Sequence, residues 1–260
     1  MAALSERLGI THLVRASGDT VILAPPDLMD ERADDKPYQV VDGVAIVPVC
    51  GTLVQKLGSI RPYSGMTGYD GIRAMLAAAL ADAEVRAIML DIDSPGGEVA
   101  GCFDLVDAIF AARGEKPIWA VCNEVAYSAA YAIASAADRI TVPRSGGCGS
   151  IGVISILADM SKALTAGGIT VHVIRYGDRK MRGNQFEPMT KDDLDEFQAD
   201  IDAMGVLFCE TVARNRGIPV ANVTGTEAAT FLGEAGVAIG LADAVLAPDA
   251  AFRALCALAA

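Results

Sequence analysis

The chain has 260 residues, 52% of them hydrophobic and 21% charged, with 21 Lys and Arg against 33 Asp and Glu, a formal net charge of −12 and a pI near 4.6. That length is enough to bury a substantial core as one large α/β domain or two small ones, and so acidic a balance argues against nucleic acid as a partner. No run of about 18 apolar residues could span a bilayer, and Met1-Ala2-Ala3-Leu4-Ser5-Glu6-Arg7 lacks the basic-then-apolar order of a secretory signal, so no membrane partner is expected.

Residues 1–36 read as an N-terminal arm, with a short helix over Ser5 to Val14 and a solvated loop around Pro25-Pro26 and Asp30, Glu31, Asp34 and Asp35. Val44 to Val49 is a continuous apolar strand, Gly58 to Gly68 a glycine-rich loop, Tyr69 to Ala83 a helix by its spacing of Ile72, Met75, Leu76, Ala79 and Leu80, and Ala87 to Ile92 the next buried strand. Strand, helix and strand with short connections predict a parallel sheet. Asp93-Ser94-Pro95-Gly96-Gly97-Glu98-Val99 then reads as a turn before a helix over Cys102 to Ala112. Its glycines either relieve a tight turn or bring a bare N–H to the C-terminal edge of the sheet, where open α/β sheets place ligands.

Pro117 to Val121 is another apolar strand, and small residues from Ala129 to Ala137 form a helix. Ser128 falls at that junction. It is either an N-cap, the common fate of such a serine, or a nucleophile, since the first N–H groups of the helix, starting with Ala129, point where an oxyanion would develop. Arg139 to Val142 is a strand, and Gly146 to Ile154 a glycine-rich turn entering an apolar run; no Gly-Lys-Ser/Thr follows, which weakens a phosphate-binding reading. Ser155 to Gly167 reads as a helix, Ile169 to Ile174 as an alternating strand, Tyr176 to Thr190 as a polar loop, and Asp192 to Arg216 as one long amphipathic helix capped by Thr190. A short helix, the glycine pair Gly236 and Gly240, and a last strand lie between Glu227 and Leu246, followed by an alanine-rich tail over 248–260.

Cys50, Cys102, Cys122, Cys148, Cys209 and Cys256 sit in apolar contexts with no Cys-x-x-Cys. Reduced thiols in a cytoplasmic protein fit this better than disulfides or a zinc site, and no metal or cofactor is expected. A nucleophilic Ser128 needs a base. Of the two histidines, His12 lies in the arm and His172 inside the expected strand, where a half-buried structural role suits it. The other base for a serine is a neutral lysine, its pKa brought by burial from about 10.4 toward ~7–8 at a cost of about 4 kcal/mol. Composition alone would make Lys180, between Arg179 and Arg182, a solvated surface charge.

Leu90-Asp91-Ile92-Asp93-Ser94-Pro95-Gly96-Gly97-Glu98-Val99, Ala126-Tyr127-Ser128-Ala129-Ala130-Tyr131, Gly149-Ser150-Ile151-Gly152-Val153-Ile154 and Tyr176-Gly177-Asp178-Arg179-Lys180 occur in that order. This set resembles the signal peptide peptidase A family of serine–lysine peptidases, family S49, and within it the phage head maturation proteases of the lambda C-protein type. The likeness covers about residues 40 to 247. It implies an α/β fold of the Clp protease/crotonase kind with repeated strand-helix units, and a peptidase domain over 37–247 that includes the long helix 192–216. It also implies Ser128 as nucleophile, Lys180 as general base, Ser150 orienting that lysine, and the N–H groups of Gly97 and Ala129 as the oxyanion hole. No histidine occurs from Ser128 to Val171, where a Clp-type base would stand.

The resemblance further implies a ring-like homo-oligomer acting on capsid or scaffold proteins, in the host cytoplasm or the procapsid, and the small residues around Ser128 suggest small or apolar residues before the cut. Ala129-Ala130 stand where membrane-bound members have glycines, and neither a transmembrane anchor nor a scaffolding extension is evident. A non-catalytic assembly protein, a housekeeping signal-peptide-peptidase-like protease and a crotonase-like acyl-CoA enzyme remain as alternatives, the last without a basic cradle for nucleotide phosphates.

Overall fold

The computed structural model describes residues 36–260 and the backbone of two short strands, β1 (His12–Val14) and β2 (Thr20–Ile22), which pair antiparallel. His12–Val14 thus forms a strand where a helix over Ser5 to Val14 was expected, its backbone paired with Thr20–Ile22, and the remainder of the arm lies outside the described residues. The chain divides into two compact units, one built from the residues up to Ile151 together with Cys209–Ala260, the other from Gly152–Phe208.

The first unit is organised around a mixed sheet of nine strands. Its spine is β3 (Gln39–Val41), β4 (Val44–Val54), β6 (Ala87–Gly97) and β7 (Ile118–Tyr127), with β5 (Met66–Gly68) beside β4. The β4–β6 and β6–β7 pairs are parallel, with Val47 opposite Leu90 and Leu90 opposite Ala120. Crossover helices α1 (Tyr69–Ala81), α2 (Cys102–Ala111) and α3 (Ala129–Ser135) follow β5, β6 and β7. These are the strand-helix repeats expected from the apolar runs. Ile88, Leu90 and Ile92 are fully buried on one face of β6, as are Ile72 and Met75 of α1 and Leu105, Val106 and Ile109 of α2. Each such side chain stabilises the fold by roughly 1.5–3 kcal/mol.

Beyond β7 its two halves take different partners. Trp119 to Val121 pair with β8 (Arg139–Val142), whereas Val125 to Tyr127 pair with β9 (Gly147–Gly149), and both pairings are parallel. The second unit opens without regular structure and contains α4 (Ser161–Ala166). The long helix is α5 (Lys191–Arg216), whose last turns from Cys209 belong to the first unit. The chain closes through α6 (Val220–Thr224), β10 (Thr230–Leu232), antiparallel to β9, α7 (Glu234–Ala238), β11 (Ala244–Val245), parallel to β8, and α8 (Pro248–Ala259).

Several segments differ from expectation. Asp93 to Gly97 continues β6 through a register shift instead of turning, because the neighbouring β4 supplies a ladder partner as far as Leu53. The helix expected over Ser155 to Gly167 is confined to α4. Ile169 to Ile174 forms no strand; its alternation finds no ladder partner within the unit, and Ile174 is 97% exposed. His172 on that segment is exposed rather than half-buried. The alanine-rich tail is the helix α8, whose Ala251, Leu255 and Ala259 pack with Val44, Ala87, Met89 and Val121 on the second face of the sheet. All six cysteines are free and four are buried, and burial pushes the Cys102 and Cys148 thiols up to about 12.

Candidate active site

The sheet delivers β7 to Ser128 at the start of α3. The Ser128 N–H donates to the Gly149 carbonyl of β9 (2.9 Å), and the Ser128 carbonyl accepts the Ala132 N–H (3.0 Å), the first bond of the helix. One residue makes the change from strand to helix, with φ +51° and ψ −126°. Such a conformation costs a non-glycine residue roughly 1–3 kcal/mol and persists only where its surroundings enforce it. An N-cap serine has extended backbone and places its oxygen on a first-turn N–H; Ser128 has neither that backbone nor any side-chain capping bond. The capping role is therefore vacant, and the half-buried hydroxyl is left for other chemistry.

At its other end α3 is held by Arg113, whose Nε donates to the Ala136 carbonyl (2.8 Å) and whose Nη2 donates to those of Ser135 (2.9 Å) and Ala137 (2.6 Å). The cation sits over the Phe110 ring at 4.5 Å. The helix carrying Ser128 is thus fixed at both termini, with every residue from Ala129 to Ser135 buried.

The end of β6 lies against the serine. Gly96 has φ +109°, and a Cβ there would stand 2.7 Å from the Ser128 Cβ and 3.1 Å from the Ala129 nitrogen, so only glycine fits. A Cβ on Gly97 would meet the Leu53 carbonyl oxygen at 1.9 Å. On the β4 side the Glu98 N–H donates to that carbonyl (2.9 Å), and successive N–H groups of a strand alternate between its edges. On the β7 side the β6–β7 ladder has already ended at Ser94 and Ala126. The Gly96 N–H is occupied by the Ser94 hydroxyl (3.1 Å).

Ser150 follows the Gly149 carbonyl that holds Ser128; it is half-buried, has φ +55°, and donates its N–H to the Ala229 carbonyl (2.9 Å). Gly97, Ser128, Ala129 and Ser150 all belong to the first unit, and Lys180 belongs to the second. In that second unit the Lys180 N–H donates to the Gly177 carbonyl (3.0 Å), and its own carbonyl accepts from Arg175 (3.4 Å). The neighbouring cations are engaged with carboxylates: Arg175 with Glu187, Arg179 with Glu196, and Arg182 with Asp193 and Glu196, both at 2.7 Å. Lys180 is exposed and has no ion pair among the described residues. Thr190 caps α5 as expected, in a reciprocal box with Asp193: the Asp193 N–H reaches Thr190 Oγ1 (3.2 Å), and the Thr190 N–H reaches Asp193 Oδ2 (3.0 Å).

Sequence reasoning passed over the side chains that shape this edge, Ser94 and Tyr69. Ser94 stands inside the Asp-Ser-Pro-Gly-Gly run, but nothing in a one-dimensional pattern shows that its hydroxyl faces inward. Among the described residues no group of three or more His, Cys, Asp or Glu could hold a metal, and no helix is long and apolar enough to cross a membrane.

The family model of peptidase family S49 matches residues 111–260. The chain is 48% identical over 209 residues to the head-tail preconnector protein GP5 of Enterobacteria phage P21, covering 80% of this chain and 42% of that protein. It is 40% identical over 249 residues to the capsid assembly protease C of Escherichia phage lambda, covering 93% of this chain and 57% of the relative. It is 23% identical over 180 residues to the chloroplastic serine protease SPPA of Arabidopsis thaliana, covering 69% of this chain and 27% of the plant protein. The chain thus spans about half the length of the two phage relatives. With more than half of its residues under the family model, this chain belongs to peptidase family S49.

Proposed function

We propose that the chain is a serine endopeptidase of phage or prophage head maturation, with the Clp/crotonase form of the α/β fold. The observation that carries the reading is the uncapped, strained Ser128 at the start of its helix, with the Gly96-Gly97 end of β6 packed against it. In the proposed reaction Ser128 Oγ attacks a peptide carbonyl carbon while neutral Lys180 Nζ takes its proton. The carbonyl oxygen becomes an oxyanion held by the Gly97 and Ala129 N–H groups, and Ser150 orients the lysine. The C–N bond then breaks with the proton passing from Lys180 to the leaving amine, and water hydrolyses the acyl-enzyme by the same proton route.

Lys180 is exposed in the single chain, so its neutral form requires a further surface to cover it. A neighbouring copy in a ring-like homo-oligomer provides one, with the lysine serving the serine of its own or the adjacent chain. The names of the phage relatives, a capsid assembly protease and a head-tail preconnector, support capsid or scaffold proteins as substrates and the host cytoplasm or procapsid as the place of action. Small or apolar residues are proposed before the scissile bond.

The test is labelling of the purified chain with a fluorophosphonate probe from roughly pH 6 to 10, beside Ser128→Ala and Lys180→Ala. Labelling should rise with pH as the lysine loses its proton, and vanish in both variants. The preconnector name of the P21 relative favours one other reading, an assembly protein without catalysis; a chain that assembles but never labels would select it.

A further inference from the structure

The proposed oxyanion donor Gly97 sits at the end of a strand that has left the β6–β7 ladder and is paired on one edge only, with Leu53 of β4. Two hydroxyls flank it. Ser94 is completely buried; its Oγ donates to the Gly51 carbonyl of β4 (2.7 Å) and accepts the Gly96 N–H (3.1 Å). Gly51 (φ +65°) lies within the register shift between β4 and β6, and Gly96 (φ +109°) stands opposite Thr52 where their ladder resumes. One hydroxyl therefore ties the two strands together across that irregularity.

On the far side of Gly97, Tyr69 at the start of α1 is 3% exposed and donates its hydroxyl to the Glu98 carbonyl (2.6 Å). The same residue is held twice more, its N–H on the Leu53 carbonyl (2.9 Å) and its carboxylate under the Gln55 N–H (2.7 Å). Cys102 Sγ lies 3.9 Å from the Ala129 carbonyl as donor, and burial raises both the Tyr69 hydroxyl and the Cys102 thiol above their ordinary values. Both groups therefore stay protonated and neutral as donors. The result is a bracket reaching from the strand after Gly97 to the first residue of the nucleophile helix.

We propose that Ser94 and Tyr69 are positioning residues, which touch no substrate but fix the Gly97 N–H at its angle to Ser128 and Ala129. This inference rests on the peptidase reading above. An oxyanion donor acts only when it is already aimed at the position the developing charge will occupy, and a misplacement near 1 Å can cost about 100-fold. Removing either hydroxyl should therefore slow the chemical step while leaving the binding of the probe and the titration of the base intact.

The experiment measures saturation kinetics of fluorophosphonate–rhodamine labelling on the full chain, together with thermal midpoints, for the native protein, Ser128→Ala, Ser94→Ala, Ser94→Thr and Tyr69→Phe. Ser94→Ala and Tyr69→Phe should lower the maximal labelling rate about 10- to 100-fold, with the half-saturating probe concentration and the pH midpoint unchanged. Ser94→Thr keeps the hydroxyl but overfills a closed site; it should lose thermal stability and retain most of its rate. Rates that follow the thermal midpoints instead, with Ser94→Thr as slow as Ser94→Ala, would overturn the inference, and so would full rates in both truncated variants. Should Ser94→Ala fail to fold, Tyr69→Phe carries the test alone. Labelling of the native chain that does not depend on Ser128 removes the peptidase reading and this inference with it, whereas Ser128-dependent labelling at full rate in Tyr69→Phe overturns the inference only.

Discussion

A single atom decides whether the site can form at Gly96. An alanine there would bring its Cβ within 2.7 Å of the Ser128 Cβ and 3.0 Å of the Tyr127 carbonyl oxygen, on a backbone at φ +109°. Gly65 isolates the two costs: it also has positive φ, +78°, but a Cβ there meets nothing within 4 Å. Gly65→Ala should therefore lose only the conformational term, about 1–2 kcal/mol, and label at the native rate. Gly96→Ala should lose more stability and, because Ser128 or Gly97 must move, at least about 100-fold in labelling rate. Parallel thermal melts and labelling curves check both, and equal labelling of the two variants would refute the steric account. The motif that contains these glycines was legible in the sequence, as was the junction at Ser128. What each glycine must avoid, Ser128 at Gly96 and the Leu53 carbonyl at Gly97, becomes visible only once β4 and β7 are in place.

Among the elements, the crossover units were readable because their apolar runs bury whole faces: Ile88, Leu90 and Ile92 have no solvent exposure. Helix α8 was not readable as part of the core, since Ala250, Ala251, Ala254, Ala257, Ala259 and Ala260 carry little hydrophobic signal. Its register on the sheet is set by Leu255, which has no exposure. Leu255→Ala should cost about 2–5 kcal/mol, read as a lower urea midpoint at unchanged slope; a loss under about 1 kcal/mol would mean that α8 is peripheral. A second tie joins the ends of α5, β8 and β11. Asp243 accepts from Arg216 (2.6 and 3.1 Å) and from the Ile140 N–H (2.6 Å). Burial by itself would raise the Asp243 carboxyl, but the guanidinium and the N–H outweigh it and hold it below the ordinary value. With the folded value depressed, the unfolded chain takes up the proton first. The contribution is then complete above the unfolded value near 3.9 and is lost as pH falls through it toward the folded one. Asp243→Asn should lower stability at pH 7 by about 2 kcal/mol, less than for a closed pair because Asp243 is 31% exposed. The variant should also lose less on acidification than the native chain. Urea titrations at neutral pH and at about pH 3 decide it; parallel losses in both proteins would remove Asp243 from the acid response.

At the scale of the whole molecule, two properties oppose each other. The net charge of −12 keeps copies apart, while most exposed large apolar side chains among the described residues lie between 152 and 208. Ile154 is 84% exposed, Ile156 86% and Ile174 97%. Ile174 belongs to the segment whose alternation suggested a strand, and an apolar extended segment without a ladder partner in its own chain is one that another chain can pair. The ring-like oligomer proposed above would supply that partner and would cover Lys180 at the same time. The balance has a definite salt dependence: ions screen the like charges but leave apolar burial intact, so association should strengthen as salt rises, from about 10 mM, where the screening length is near 30 Å, to about 150 mM, where it is near 8 Å. Light scattering across that range should show a mass that grows with salt and with protein concentration. Ile156→Asp and Ile174→Asp should hold the chain monomeric throughout, with an unchanged thermal midpoint, since neither side chain is buried, and fluorophosphonate labelling should fall with the oligomer. A native chain that stays monomeric at every salt and concentration yet labels fully would place the base within reach of Ser128 in one chain, and the exposed isoleucines would then have no part in catalysis.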